Sequence, residues 1–226
     1  ALPSSIKEGF LMTVFKLIDK ISSWIKNRFF RYFVSVPESA RSDTQYNSQY
    51  YTQYNSQING LQYQVKIATT QEELEASYGL LHECYVKKEL MEAHPSGLRC
   101  NEYTFLPHST AIIVLYGKRV VGTVTLIIDN PLGLPADKDF KVENDKLRQQ
   151  GRRLIEVSAL SVARDFRNQG HAVSLLLMKY LYNFVRDYTQ QDCLICTVHP
   201  KAAYFYVSLF RFEKNPKTVK YEFVKG

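Results

Sequence analysis

Residues 154–172 read LIEVSALSVARDFRNQGHA, which is an apolar strand, a short loop and the first residues of a helix. Gly170 stands where that helix begins, so free backbone N–H groups and the positive end of the helix dipole meet beside it. Because glycine has no Cβ, an anion such as a phosphate can approach the backbone closely there. The stretch therefore predicts an α/β fold with an anion site between a central strand and its helix. An ordinary helix start that happens to contain a glycine fits the same residues.

The segments on either side of this unit extend the α/β pattern. Five further strands and three further helices follow from hydrophobic periodicity and turn residues: a strand at 61–68, a capped helix at 70–90, a hairpin at 111–129, a helix at 137–150, a strand at 192–198, a helix at 199–210 and a strand at 219–225. The predicted order is β-α-β-β-α-β-α-β-α-β, which places residues 61–226 in one α/β domain with a sheet flanked by helices.

The first 60 residues predict two appendages to that domain. Residues 5–35 place apolar side chains at helical spacing opposite a basic side, which predicts an amphipathic helix within a segment 1–35. Such a helix can pack on its own domain, join a second subunit or lie in a membrane interface. Residues 36–60 are rich in Gln, Asn, Ser and Tyr, with QYNSQ at 45–49 and again at 53–57, and predict a flexible linker.

Composition narrows the classes of partner and site. The chain has 226 residues, a net charge of +7 and a sequence pI near 9.1, which suits an acidic partner or simply keeps the protein in solution. Cys193 and Cys196 are spaced as C-x-x-C within a predicted strand, where residues three apart face opposite ways, and no second ligand pair is present. We therefore expect no metal, reduced thiols and a cytoplasmic protein.

Glu156 is the strongest catalytic candidate, because it interrupts an otherwise apolar strand. Glutamate is a poor strand former, and burial of an unpaired carboxylate is costly. Loss of solvent raises a carboxyl pKa, which makes the group a better base near neutral pH. An amine substrate arrives as an ammonium ion and needs such a base. The competing interpretation is an ion pair of Glu156 with Arg152 or Arg153.

Two motifs resemble those of GNAT acyltransferases. R-x-x-G-x-A at 167–172 resembles their acyl-CoA-binding motif, and HPKAAYFYVSLFRF at 199–212 resembles the motif that follows it. Three longer stretches, HPSGLRCNEYTF, VVGTVTLIIDNPLGLPAD and LRQQGRRLIEVSALSV, resemble the FeeM-type N-acyl amino acid synthases, which are GNAT-fold enzymes related to acyl-homoserine lactone synthases. The resemblance covers about residues 62–224 and implies a GNAT-like mixed central sheet flanked by helices.

The resemblance also implies a reaction. Members join a long-chain fatty acyl group, delivered by an acyl carrier protein, to the amine of an amino acid such as tyrosine. It implies a catalytic Glu156 and Ser158 in the E-x-S pattern, and Tyr206 as the acid for the departing thiolate. Binding of the acyl-phosphopantetheine thioester, on a carrier protein or coenzyme A, is implied for four residues: Arg167, Gly170, His171 and Ala172. This thioester is a co-substrate, so no bound cofactor is expected. Ala159 departs from the lactone synthases, which commonly have arginine there.

Basic side chains supply the remaining predicted contacts. Arg99, in the loop after the first helix, suits the acceptor carboxylate because a guanidinium can bind it with two hydrogen bonds. Four basic residues flank the expected phosphate site and could dock an acidic carrier protein: Arg164, Arg167, Lys179 and Lys201. No recognition-helix pattern supports nucleic-acid binding. The alternative functions are an acyl-homoserine lactone synthase and a non-catalytic GNAT-fold binding module.

Overall fold

The computed structural model describes residues 8–15, 53–58, 60–107, 109–167 and 171–220. The strands, numbered in chain order, are β1 Glu8–Phe15, β2 Gln53–Ile58, β3 Leu61–Ile67, β4 Ser109–Tyr116, β5 Arg119–Ile128, β6 Leu154–Val162, β7 Cys193–Val198 and β8 Glu213–Lys220. The helices are α1 Gln71–Lys87, α2 Asp137–Gln149, α3 Ala172–Tyr188 and α4 Pro200–Phe210. None of the described helices is long and apolar enough to cross a membrane.

The described strands form one sheet in the order β2-β3-β4-β5-β6-β7-β1-β8. Neighbouring strands are antiparallel except β6 and β7, which are parallel and joined by α3. From β3 onward, the elements follow the order predicted from the sequence. The capping box is also present, since Thr70 Oγ1 accepts from the Glu73 backbone and the Glu73 carboxylate accepts from the Thr70 backbone.

Two strands lie where the sequence predicts other structure. Residues 8–15 were expected within an amphipathic helix, but they form β1, which pairs with β7 on one side and β8 on the other. Backbone pairing on both edges outweighs the helical periodicity of a short apolar segment. Membrane contact through residues 5–35, one of three alternatives for this segment, stays a prediction. The rest of the predicted helix lies outside the described residues.

The end of the predicted linker is also a strand. Residues 53–58 pair with β3 as β2, and Gly60 at φ +79 is in the left-handed region at the turn. The Tyr54 hydroxyl donates to the Leu176 carbonyl oxygen at 3.2 Å, and its ring stacks on Tyr180. The polar residues 53–58 are therefore ordered by pairing with β3 and by the contacts of Tyr54 with α3, which composition alone does not predict. At the other end of the sheet, β8 begins at residue 213, earlier than the predicted 219.

Two hydrophobic clusters of described residues form the core along the sheet. Thr123 on β5 contacts α1, where its Oγ1 lies 2.7 Å from the Ser77 Oγ. Gly122, the preceding residue, faces α3 on the other side, where Val173 and Leu177 lie close to its Cα. A smaller hydrophobic cluster joins β5, β6 and β7 to α2 through Ile127, Leu134, Phe140, Leu154 and Ile195. Ile127 and Ile195, the two strand partners of Glu156, belong to this smaller cluster.

Gly122→Ala is expected to destabilise the fold, because the added Cβ would overlap Val173 Cγ1 and lie 3.2 Å from Leu177 Cδ1. Overpacking of this kind costs about 1–3 kcal/mol in the free energy of unfolding. Urea denaturation measures it. The matched control is Gly79→Ala in α1, where the nearest atom is 3.9 Å from the new Cβ and helix propensity should add stability. Equal effects of the two substitutions would contradict this account of the packing.

Candidate active site

The two parallel strands separate in the middle of the sheet. Only Leu154–Glu156 of β6 pair with Cys193–Ile195 of β7, although the strands continue to Val162 and Val198. A β-bulge follows on β6, where Ser158 and Ser161 pair with Thr125 and Thr123 of β5 and the intervening Ala159 has φ +56. The backbone edge of β6 beyond Glu156 is therefore not paired with β7, and a gap opens between the two strands.

Glu156 lies at the last paired position before the gap. Its side chain is 1% exposed, and its Oε2 accepts one hydrogen bond from the Ala136 backbone N–H at 2.8 Å. Burial raises the pKa of Glu156 to about 8; the Ala136 hydrogen bond opposes the rise and the nearby Asp137 carboxylate adds to it. The carboxyl group can thus both hold and release a proton close to neutral pH.

The predicted alternative for Glu156 was an ion pair. Arg153 instead lies 3.5 Å from the Asp192 carboxylate, measured from Nε to Oδ2. Within the described residues, no cationic nitrogen lies within 4.0 Å of the Glu156 carboxylate. A buried, unpaired carboxyl group is uncommon in a purely structural position because its desolvation is not repaid.

Arg148, which the sequence did not single out, binds both ends of the 129–137 loop, whose Ala136 N–H donates to Glu156. Arg148 on α2 binds Asp129 through Nε at 2.7 Å and Nη2 at 2.9 Å, and it also donates to Asp137 and Asp145. Asp129 directly follows β5 and Asp137 begins α2. The sequence does show two aspartates at the ends of a loop that contains Gly and Pro. Their common partner Arg148, eleven residues after Asp137, could not be deduced from the spacing.

A cleft of about 640 Å³ lies on the same face of the sheet as Glu156. Its floor includes Ala111 and Thr125, which are paired across β4 and β5, and Thr125 is the cross-strand neighbour of Ser158. Because side chains alternate along a strand, Ser158 and Glu156 share this face. The walls are mainly apolar and come from β3, α1 and the loop before β4: Ile67, Leu74, Tyr78, Leu98, Phe105 and Leu106. The cleft therefore opens on the face of the sheet that carries the Glu156 and Ser158 side chains.

Tyr206 on α4 is buried near the Cys196 thiol, which the charge of Glu156 also influences. Burial raises the pKa of Tyr206, with Cys196 and Tyr85 adding to the rise. Burial likewise raises the pKa of Cys196, with the Glu156 carboxylate adding to it. Cys196 directly follows Ile195, the β7 partner of Glu156. Tyr206 thus keeps its proton at neutral pH, and the thiol that influences it follows the β7 partner of Glu156 in the chain.

The predicted donor-binding residues are described in part. Gly170 lies outside the described residues. Arg167 donates from Nε to the Val162 carbonyl oxygen at 2.8 Å and from Nη2 to Cys84 Sγ at 3.1 Å, so its guanidinium lies against the protein. His171, in the left-handed region at φ 62, precedes α3 and contacts the Phe205 ring, and Ala172 is buried as the first helical residue. Phosphate binding by these residues stays a prediction.

The structure places Arg99 beside an aromatic ring. Its guanidinium carbon lies 4.0 Å from the centroid of the Tyr85 ring, and its backbone N–H donates to the Tyr78 carbonyl oxygen. The residues on either side of it, Leu98 and Cys100, line the cleft. The predicted carboxylate contact of Arg99 is untested. Among the described residues, no cluster of His, Cys, Asp or Glu could hold a metal ion.

The raised pKa of Glu156 predicts an effect of pH on stability. In the unfolded chain the carboxyl group ionises near its ordinary value of 4.5, whereas in the folded protein it keeps its proton until about 8. Stability should therefore fall as pH rises between these values, by an amount on the order of a few kcal/mol that Glu156→Gln removes. Urea titrations of both proteins from pH 5 to 8 measure this difference. Parallel pH profiles of the two proteins would show that Glu156 ionises normally.

The chain is similar to several solved structures. The solved structure of FeeM, an N-acyl amino acid synthase from uncultured soil microbes, superposes with a TM-score of 0.52 at 20% identity, covering 64% of this chain and 75% of that one. The chain is also similar to a GCN5-related N-acetyltransferase from Kribbella flavida (13% identity, TM-score 0.42, covering 94% and 56%). A third similar structure is BjaI, a CoA-dependent acyl-homoserine lactone synthase (24% identity, TM-score 0.37, covering 52% and 55%).

No curated protein sequence matches the chain significantly. The GNAT-like fold expected from the sequence is confirmed by the FeeM superposition. A family model described as N-acyl amino acid synthase FeeM matches residues 76–226, which is well over half of the chain. With this match, the prediction of an acyl-transferring enzyme is confirmed. The chain belongs to the FeeM family of N-acyl amino acid synthases.

Proposed function

We propose that this acyltransferase joins a long-chain fatty acyl group, carried as a phosphopantetheine thioester, to the α-amine of an amino acid such as tyrosine. The observation that carries the proposal is the buried carboxyl group of Glu156, which lies where β6 and β7 separate and which has no ion-pair partner among the described residues. Such a group is suited to take a proton from an ammonium substrate near neutral pH.

The gap between β6 and β7 is the proposed place of the donor thioester. An extended phosphopantetheine arm carries amide groups that can pair with the free backbone edge of β6, much as a peptide adds to a sheet edge. Its phosphate would then meet the start of α3 at Ala172, where the backbone N–H groups of the first turn have no partners within the helix. This arrangement brings the thioester carbon close to Glu156.

In the reaction the ammonium nitrogen loses two protons and the departing sulfur gains one. Glu156 takes a proton from the amine, directly or through a water molecule, and the amine nitrogen attacks the thioester carbonyl carbon. The oxyanion of the tetrahedral intermediate accepts a hydrogen bond from a backbone N–H of β6 beyond Glu156. When the C–S bond breaks, Tyr206 donates its proton to the thiolate and takes up the second proton that the attacking nitrogen loses, leaving an amide, a free phosphopantetheine thiol and a protonated Glu156 that releases its proton to solvent. Ser158, next on the Glu156 face, borders the amine.

The cleft is the proposed acceptor site. Its volume of about 640 Å³ suits a small molecule. The rings of Tyr78 and Phe105 meet edge to face, with centroids 6.4 Å apart, and can pack against an aromatic side chain such as that of tyrosine. Arg99, between two cleft-lining residues, is the proposed partner of the acceptor carboxylate. The apolar walls also tolerate the hydrocarbon end of an acyl amide.

An acidic acyl carrier protein is the proposed source of the acyl group. Arg164 and Lys201 are exposed on the loop before α3 and at the start of α4, and the Tyr204 ring beside Lys201 is 81% exposed. This mixture of basic and aromatic surface suits an acidic protein partner. Lys179 is less suited to docking, because it lies 5.8 Å from the centroid of the Tyr54 ring and is partly buried.

Loss of the Glu156 carboxylate is expected to abolish product formation. Mass spectrometry of lipid extracts from cells that express wild type or Glu156→Gln should show a series of N-acyl amino acids with the wild type only, naming the acceptor and the chain lengths. The amide of glutamine still accepts the Ala136 hydrogen bond, so the fold is preserved. Acyl lactones in place of amides would establish the lactone-synthase alternative. Absence of both products from the wild type would favour the non-catalytic binding module.

Alkylation of Cys100 tests whether the cleft holds a substrate. Cys100 lines the cleft and is exposed, while Cys84, Cys193 and Cys196 are buried. We expect a maleimide to modify Cys100 first and to stop turnover by filling the cleft, and a saturating acceptor to slow the labelling at least several-fold. Cys100→Ser, the control, should be active and insensitive. Full activity of the singly labelled enzyme would place the acceptor elsewhere.

A further inference from the structure

Arg148 fastens both ends of the loop that reaches Glu156. Five hydrogen bonds of 2.7–3.2 Å join its guanidinium to the carboxylates of Asp129, Asp137 and Asp145. Asp129 is fixed to β6 as well, because its backbone N–H donates to the Leu154 carbonyl oxygen at 3.2 Å. One side chain thus joins the end of β5, the start of α2 and the middle of α2.

The loop between these ends has little freedom. Gly133, at φ +79, lies so close to Asp137 that a Cβ there would be 2.6 Å from Asp137 Oδ2. The same oxygen accepts from the Leu134 backbone at 2.9 Å, and Leu134 and Ala136 are fully buried. Ala136, the residue between Pro135 and Asp137, supplies the N–H that meets Glu156 Oε2. Arg148 fixes the position of Asp137, and the adjacent residue Ala136 donates to Glu156, so the position of the donor N–H depends on the Arg148–Asp137 pair.

The same residues also set the charge around Glu156. Burial alone would raise the pKa of Asp137, but hydrogen bonds from Arg148, Asn144 and the Leu134 backbone outweigh it and lower that pKa, so Asp137 is ionised. The groups that influence Glu156 are the Asp137 carboxylate from α2, the Tyr103 hydroxyl from the Glu102–Phe105 turn and the Cys196 thiol from β7. None of these three groups is cationic. The positive charge that compensates the Asp137 carboxylate is the Arg148 guanidinium, which pairs with it.

We propose that Arg148 is a positioning residue for Glu156: it holds the 129–137 loop so that the Ala136 N–H meets the Glu156 carboxyl group, and it balances the Asp137 charge beside that group. The proposal extends the proposed function, in which Glu156 is the base. It assigns to the Arg148–Asp137 pair the control of the pH range in which the base is ionised.

Opposite substitutions should move the ionisation of Glu156 in opposite directions. Asp137→Asn removes a negative charge and keeps an oxygen that accepts from Leu134, so the pKa of Glu156 should fall by about one pH unit or more. Arg148→Met leaves the Asp137 charge uncompensated, so that pKa should rise by a similar amount. The double variant should return close to wild type. The measurement is a carbon-13 NMR titration of glutamate side chains, with the Glu156 signal assigned as the one that Glu156→Gln lacks.

Arg119→Met is the matched control. It breaks an exposed Arg–Asp pair with Asp165 that touches neither the loop nor Glu156, so the titration should be unchanged. If Arg148→Met fails to fold, Asp137→Asn alone still tests the direction of the effect. Shifts of the same sign in both single variants, or no shift in Asp137→Asn, would overturn the proposal. The titration does not require turnover, so a failure of Glu156 as catalytic base appears separately, as a wild-type rate profile that does not follow this titration.

Discussion

The site depends on one hydrogen bond, from the Ala136 N–H to the carboxyl group of Glu156 in a fully buried position. A carboxylate that accepts two or three backbone N–H groups is strongly stabilised in its ionised form, whereas a buried one that accepts none has a strongly raised pKa. A single N–H leaves Glu156 between these limits, with a pKa raised by burial to about 8. That intermediate state is what a base for an amine substrate requires.

The fold supplies the three conditions that this arrangement needs. Packing of the smaller hydrophobic cluster against β5, β6 and β7 excludes water from the carboxyl group. Separation of β6 from β7 beyond Glu156 leaves room for the donor beside it. The 129–137 loop, fastened by Arg148, supplies the N–H without bringing a cation into contact. A cation within hydrogen-bonding distance would have lowered the pKa of Glu156 and made it a weaker base.

The sequence predicted the domain well because its signals are local. The capping box at Thr70 and the apolar run of β6 with its buried Glu156 each concern residues within a few positions of one another, and the structure contains both. The N-terminal predictions failed for β1 and β2 because those strands form through pairing with distant segments, which periodicity does not encode. The hydrogen bonds of Arg148 were not predicted for the same reason, because two of its carboxylate partners, Asp129 and Asp137, lie at opposite ends of a loop.

The most direct test of the account is the pH dependence of kcat/KM with hydroxylamine as acceptor, a weakly basic amine that stays neutral over the pH range of interest. We predict that kcat/KM of the wild type rises with a single ionisation near pH 8, and that Glu156→Gln is slower by at least a hundredfold, the lower end of what general base catalysis contributes, and shows no such rise. A Glu156→Gln variant that keeps the rise and most of the rate would contradict the account, because the base would then be another group.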